Sequence, residues 1–138
     1  MKTYRGSCHC GAVRFEADVD FSKGVNKCNC SWCTKARSWF TIVQLDQLRV
    51  LAGQDAISDY RWKPEGHDQA IMFHAFCKTC SVRVFGGAGE AGHPRAFRYV
   101  CIAALDGVGD ELAAAPVFIA DGRHDRFDQR AEAPHQIG

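Results

Sequence analysis

The chain has 138 residues, enough for one domain with a modest core and too few for two ordinary domains. Apolar residues make up 46% of it and charged residues 24%, as in a typical soluble protein. With a net charge of +1 and charges of both signs interspersed, no nucleic-acid partner is expected. No apolar run approaches the length of a membrane span, and the first residues lack the apolar segment of a signal peptide. We therefore expect a cytoplasmic protein without a membrane partner.

Short stretches of alternating or β-branched residues predict a mainly β fold in a single domain over residues 1–138. The alternation is clearest where Val13 and Phe15 share one face and charged neighbours occupy the other. We expect the strand at 38–43 to be buried along its whole length. In chain order, strands are predicted from residue 4 and over 12–17, 38–43, 57–62, 69–76, 82–85 and 97–102, with single helical turns at 45–48 and 110–115.

Loops are predicted where glycine, proline and polar residues collect. Residues 18–26 are expected to form a polar connection, and residues 63–68 a hairpin-like loop. The glycines between Gly86 and Gly92 indicate a flexible loop. The chain beyond Gly122 is polar and is expected to be partly disordered from about residue 131, which places the core at about 3–121.

Eight cysteines are many for a chain expected in a reducing compartment, and seven of them fall into closely spaced groups. Such clustering favours metal binding over disulfides. The groups are Cys8 with Cys10, then Cys28 with Cys30 and Cys33, then Cys77 with Cys80. We call Cys28, Cys30 and Cys33 the cysteine trio.

A closed structural zinc site needs four ligands. Cys77 and Cys80 have the spacing of a zinc knuckle, and Cys8 with Cys10 is the natural complement. We call these four residues the four-cysteine cluster. Pairing Cys8 and Cys10 with part of the trio would leave Cys77 and Cys80 without partner ligands. A division of the seven cysteines into four and three is therefore favoured. It leaves the trio with three sulfurs, and three protein ligands plus an open position are typical of a catalytic zinc.

Another interpretation of the trio is a second structural zinc completed by a histidine. The candidates are His9, His67, His74, His93, His124 and His135. His74 lies in a predicted apolar strand, where a hydrogen-bonded core histidine is the commoner outcome.

Three further side chains are candidates on sequence grounds. Lys35 and Arg37 follow the trio closely and could either hold an anionic substrate over the metal or form solvated surface. Cys101 lies in a predicted apolar strand, where a lone cysteine is more often a small buried side chain than a nucleophile.

Residues 6–15, 28–35 and 76–80 resemble, in order and spacing, the glutathione-dependent formaldehyde-activating enzyme family, which shares its domain with centromere protein V. The matching stretches are GSCHCGAVRF, CNCSWCTK and FCKTC. The resemblance spans roughly Thr3 to Asp121 and implies an Mss4-like fold of several small coiled β-sheets clipped by zinc.

The same resemblance implies two zinc ions per chain: a structural zinc on the four-cysteine cluster and a second zinc on the trio. It also implies a carbon–sulfur lyase that adds glutathione to formaldehyde and yields S-hydroxymethylglutathione. The chain departs from the family pattern at three places. Asn29 stands where members commonly have His, Ala36-Arg37 where Ser-Gly is usual, and Ser81 where Gly is usual.

This chemistry is coherent because a thiolate attacks an aldehyde, whereas free thiols near neutral pH are mostly protonated. Our first hypothesis is that the trio zinc binds a substrate thiol, which adds to a small carbonyl compound. A second is a methionine sulfoxide reductase with Cys101 on its nucleophile strand, but the trio would then have no role. A third is a non-catalytic module with two structural zincs that binds glutathione or another protein.

Overall fold

The computed structural model describes residues 1–63, 65–66, 68 and 72–131. Strands dominate these residues, and both helices are short. In chain order the elements are β1 (Lys2–Ser7), β2 (Arg14–Val19), β3 (Val25–Cys28), α1 (Ser31–Ala36), β4 (Phe40–Val43), β5 (Leu48–Ala52), β6 (Ile57–Trp62), β7 (Met72–Cys77), β8 (Arg83–Ala88), β9 (Phe97–Cys101), α2 (Asp110–Ala113), β10 (Val117–Asp121) and β11 (Arg126–Arg130).

The described strands form two sheets, which confirms the predicted mainly β class. The smaller sheet has the order β1-β2-β5, and the larger has the order β11-β10-β3-β4-β9-β8-β7-β6. Neighbouring strands are antiparallel except β3 and β10, which are parallel. In this pair Val25 of β3 lies opposite Val117 of β10. No helix in the described part of the chain is long and apolar enough to cross a membrane.

The main core lies where the two sheets meet. Val13 and Phe15 are fully buried, as their alternation with charged residues predicts. The Phe15 ring packs edge-on against Phe85 of β8, with centroids 5.5 Å apart, and so joins the smaller sheet to the larger one.

The prediction of a flexible loop from Gly86 onward is wrong for its first two glycines, because β8 continues through both of them. A Cβ on Gly86 would lie 2.5 Å from the ring of Tyr99, and one on Gly87 would lie 2.9 Å from the side chain of Arg98. Glycine therefore allows β8 and β9 to approach closely. Gly89 and Gly92 do form the loop, with φ of 76° and 92°.

The polar connection predicted over 18–26 is also wrong. β2 runs to Val19, a 3-10 turn follows at Phe21–Lys23, and β3 begins at Val25. The apolar residues of this stretch are all buried, so their packing overrides the polar residues between them. Along β4 burial alternates instead of being continuous, and Ile42 is 46% exposed.

The predicted polar tail beyond Gly122 contains a strand, β11, and β10 before it was not among the predicted strands. β10 and β11 pair with each other, and Ala131 is buried. Three parts of the predictions lie outside the described residues: residues 69–71 of the strand predicted over 69–76, Pro64 and His67 of the predicted loop, and residues 132–138 of the predicted tail.

Candidate metal centres

The four-cysteine cluster forms where two similar turns meet. In each turn the first cysteine donates its backbone N–H to the carbonyl five residues later, Cys8 to Val13 at 3.1 Å and Cys77 to Val82 at 3.0 Å. The turns bring all four sulfurs within 4.8 Å of one another. The pairing predicted from spacing therefore occurs, between residues far apart in the chain.

The geometry of this cluster fits a tetrahedral zinc ion. The Cys10 sulfur lies 3.7 Å from the sulfurs of Cys8 and Cys77. Zinc–sulfur bonds of about 2.3 Å require sulfurs about 3.8 Å apart. Backbone N–H groups of Cys10 and Val82 lower the pKa of the Cys80 thiol to about 6, which favours the thiolate that zinc binds.

The cysteine trio forms at the junction of β3 and α1. Cys28 ends β3, and Cys30 caps the N-terminus of α1 by accepting the N–H of Cys33 at 3.4 Å. The Cys30 N–H in turn points to the Cys28 sulfur at 3.5 Å. All three sulfurs lie within 4.8 Å of one another. The helix was not predicted from the sequence, because a cysteine is not an ordinary N-cap.

The pKa values of the three trio thiols show why this group would bind a cation. Hydrogen bonds from the Cys28 and Cys33 thiols lower the pKa of Cys30 to about 3. Hydrogen bonding with Cys28 and Cys30 raises the pKa of Cys33, and hydrogen bonding with Cys30 raises the pKa of Cys28. One sulfur therefore ionises at the expense of the others. A divalent cation would allow all three to be thiolates, so the donor set fits zinc.

No histidine in the described part of the chain joins the trio as a fourth ligand. His67 and His135 lie outside the described residues. His74 is buried instead in the wall of the site, where its Nδ1 lies 2.5 Å from the Tyr99 hydroxyl. Its Nε2 is buried with no hydrogen-bond partner among the described residues, and burial lowers the pKa of the ring to about 4.

The turn after β10 packs directly on the trio. A Cβ on Gly122 would lie 2.6 Å from the Cys28 sulfur and 2.9 Å from Cys30, so only glycine fits there. Asn29 fixes this turn, since it donates to Asp121 at 3.0 Å and accepts the Arg123 N–H at 2.8 Å.

Asp121 holds the same turn from the other side. Its carboxylate is buried and accepts hydrogen bonds from Arg126, at 2.6 Å, and from His124, at 2.9 Å. Hydrogen bonds, first of all the one from Asn29, lower the pKa of this carboxyl to about 2. The turn is therefore anchored by a charged network at neutral pH.

A cavity of about 230 Å³ opens beside the trio, and we call it the aromatic cavity. The three sulfurs form one part of its wall, and the ring of Trp32 stacks on His74 with centroids 4.4 Å apart. The remaining wall is largely aromatic, from Phe40, Trp62, Phe97, Tyr99, Phe118 and Phe127. None of these rings was identified from the sequence, because they come from five different strands.

A second cavity, of about 430 Å³, lies against Cys30 and is called here the polar cavity. It shares Trp62 and Phe127 with the aromatic cavity, and its other lining residues are Gly122 and the polar or charged Ser31, Glu65, Arg123 and Asp125. Cys30 therefore borders two spaces of different character.

A sequence model of the glutathione-dependent formaldehyde-activating enzyme family matches residues 3–119. The chain belongs to this family. A crystal structure of a Rhodobacter sphaeroides protein is also similar, with 27% sequence identity and a TM-score of 0.63. That likeness covers 82% of this chain and 98% of the other. The family resemblance carried by the three cysteine motifs is thus confirmed.

Two departures from the family pattern fall at left-handed backbone positions. Arg37, which ends α1, has φ of 51°, and Ser81, in the knuckle turn, has φ of 66°. Both positions suit glycine better than a residue with a Cβ. The third departure, Asn29, contributes the hydrogen bonds that hold the Asp121 turn over the trio.

Lys35 and Arg37 are exposed, and neither lines the aromatic or the polar cavity. Arg37 instead borders a separate cavity together with Cys101. Their role as substrate contacts stays a prediction. Burial raises the pKa of the Cys101 thiol to about 11, which is the opposite of what a nucleophilic cysteine requires.

Proposed function

We propose that the chain is a zinc-dependent enzyme of the carbon–sulfur lyase type. It would bind a thiol such as glutathione at the trio and add it to a small aldehyde such as formaldehyde. The observation that carries this proposal is the donor count: three sulfurs, with no fourth protein ligand among the described residues, at the wall of a cavity. Family membership supports the reaction class.

The residues around the trio would position the two substrates. A zinc ion held there would supply the positive charge that lowers the pKa of a substrate thiol. Backbone N–H groups of Cys30 and Cys33 stabilise the protein sulfurs, and Gly122 closes one side. The substrate sulfur then bonds to the carbonyl carbon, the C=O electron pair moves to oxygen, and that oxygen takes a proton. Reversal of these steps is carbon–sulfur cleavage.

The His74–Tyr99 pair is a proton-carrying group on the cavity wall. Burial raises the pKa of Tyr99 and lowers that of His74 to about 4, so both side chains are neutral near pH 7. The pair would offer a hydrogen bond to a developing oxygen without adding a fixed charge.

Replacement of one trio sulfur tests the proposal. We expect Cys30→Ser to keep the fold and one zinc per chain while losing glutathione binding and catalysis of addition to formaldehyde. Metal content, circular dichroism and glutathione titration measure these three properties. An unfolded Cys30→Ser chain would instead assign the trio to an essential structural site.

The non-catalytic alternative gives a different result. A zinc-stabilised binding module would bind glutathione, or a protein partner, yet leave the rate of thiol exchange with formaldehyde unchanged. Exchange spectroscopy of the wild-type protein with both substrates separates the two functions. Acceleration of the exchange supports the enzyme.

We further propose that residues 1–138 form one domain and that a structural zinc at the four-cysteine cluster stabilises its fold. The pairing of β11 with β10 supports a domain that continues past Asp121. Occupation of both clusters by zinc, a cytoplasmic location and the absence of a nucleic-acid partner stay predictions.

A further inference from the structure

The aromatic cavity is much larger than formaldehyde requires. Its volume is about 230 Å³. Formaldehyde is close in size to a water molecule, whose share of the liquid is about 30 Å³. An apolar protein cavity of about 150 Å³ holds a benzene molecule. A ring-sized compound therefore fits this space, and formaldehyde would leave most of it empty.

The walls of this cavity favour an apolar occupant with a flat ring. Trp32 stacks on His74, and Phe40 contacts Tyr99 with ring centroids 5.3 Å apart, so the aromatic surfaces are already packed in place. Charged groups such as the carboxylates of glutathione are costly to bury against such walls. The peptide part of the thiol is poorly suited to this side of the trio.

The polar cavity offers that peptide a better place. It lies on Cys30 as well, and its lining includes the hydroxyl of Ser31, the positive charge of Arg123 and the carboxylates of Glu65 and Asp125, so charges of both signs are available to a zwitterionic peptide. The two cavities thus present a polar side and an apolar side to the same sulfur cluster. Such a division separates a polar thiol from an apolar partner.

We infer that the carbonyl substrate is an aromatic aldehyde of about the size of benzaldehyde, with its ring in the aromatic cavity and its carbonyl carbon toward the trio. This inference rests on the proposed function and specifies its substrate class. One carbon–sulfur bond forms, and the carbonyl oxygen gains the proton that the thiol loses. Nothing is oxidised or reduced.

Binding can be measured without any reaction, with benzyl alcohol as an unreactive probe. The chain has two methionines. Met72 lines the aromatic cavity, whereas Met1 is 71% exposed and does not line it. In the zinc-loaded protein labelled at its methionine methyl groups, we expect benzyl alcohol to shift the Met72 signal saturably and to leave the Met1 signal unmoved.

Catalysis is compared as the acceleration over the uncatalysed addition of glutathione, because the two aldehydes differ in intrinsic reactivity. We expect an acceleration for benzaldehyde about tenfold or more above that for formaldehyde. Ile42 lies at the cavity rim and is 46% exposed, so Ile42→Trp narrows the entrance without disturbing a buried site. It should lower kcat/KM for benzaldehyde about tenfold more than kcat/KM for formaldehyde.

Leu51→Trp is the matched control, since Leu51 is 45% exposed on β5 and does not line the cavity. Leu51→Trp should leave kcat/KM unchanged for both benzaldehyde and formaldehyde. Acceleration for formaldehyde with no preference for benzaldehyde and no Met72 shift would overturn the inference and leave the proposed function standing. A Met72 shift without acceleration for either aldehyde would overturn the proposed function and, with it, the assignment of the ring compound as a substrate.

Discussion

The two cysteine clusters differ in what surrounds them as much as in their number of sulfurs. Cys8 and Cys77 belong to the main hydrophobic core, together with residues such as Phe15. Cys28 and Cys30 belong to a separate, smaller cluster with Ala120, beside the aromatic cavity. One cluster thus lies partly within the main core, while the other lies beside a cavity.

On the proposed function, the division of seven cysteines into four and three would also be a division of tasks between a structural and a catalytic zinc site. Four donors complete a tetrahedral site and leave no place for a ligand. Three donors at the wall of a cavity leave one position for it.

The largest expected effect comes from opening the four-cysteine cluster. Cys77→Ser removes a fully buried sulfur from the core, and we expect the free energy of unfolding to fall by about 4 kcal/mol or more, enough to unfold the chain. Cys30 is also buried, but Cys30→Ser should lower the free energy of unfolding much less. Urea unfolding of the zinc-loaded proteins, followed by circular dichroism, measures both. Equal losses would contradict the difference between the clusters.

A smaller effect is expected from the turn over the trio. Asp121→Asn removes the charge that holds Arg126 and His124, and the loosened turn should lower kcat/KM for thiol addition about tenfold. Asp18→Asn is the control, because Asp18 pairs with Arg49 in the smaller sheet, away from the trio. It should lower stability while activity stays within about twofold.

The pH dependence of these two carboxylates has the same sign. Hydrogen bonds from Arg49 lower the pKa of Asp18 to about 2, as those of its own network do for Asp121. Because both folded pKa values lie below the unfolded value, the stabilisation is complete above about pH 4 and is lost as the pH falls toward 2. Both variants should therefore show their full effect at pH 7.

The titration of His74, which lies in the cavity wall beside the trio, tests the environment of that cluster. Burial lowers its pKa to about 4 in the folded chain, so its stabilising contribution is complete above about pH 6.5 and is lost as the pH falls toward 4. The ring signals of His74 in NMR spectra should stay at their neutral positions from pH 8 to about 5.5. Protonation near pH 6.5 would contradict the buried environment.

The smallest effect is expected at the two left-handed residues, one beside each cluster. Arg37→Gly and Ser81→Gly should each raise the free energy of unfolding by about 0.5–1 kcal/mol, since glycine adopts positive φ without strain. Thermal unfolding measures both changes. A loss of stability in either variant would show that the side chain contributes more than its backbone strain costs.

The sequence predicted the features that depend on local spacing. The cysteine pairs, the alternation at Val13 and Phe15, and the strand at 57–62 all follow from residues close together in the chain. The four-cysteine pairing was also predicted, because a count of donors restricts which groups can complete one another.

What the sequence did not predict depends on distant partners. β10 carries the apolar run Val117-Phe118-Ile119-Ala120, a signal that could have identified a strand, but its parallel pairing with β3 spans most of the chain. The role of Gly122 follows only from that pairing, which places it on the trio. The aromatic cavity is assembled in the same way, from rings on separate elements.

The most direct test of the account is X-ray absorption at the zinc edge, combined with metal analysis, before and after addition of glutathione. The account predicts two zinc ions per chain, one with four sulfur ligands and one with three sulfurs and a lighter atom. Glutathione should raise the average sulfur count by replacing the lighter atom. A single zinc per chain, or a sulfur count that glutathione does not change, would contradict the open site at Cys28, Cys30 and Cys33.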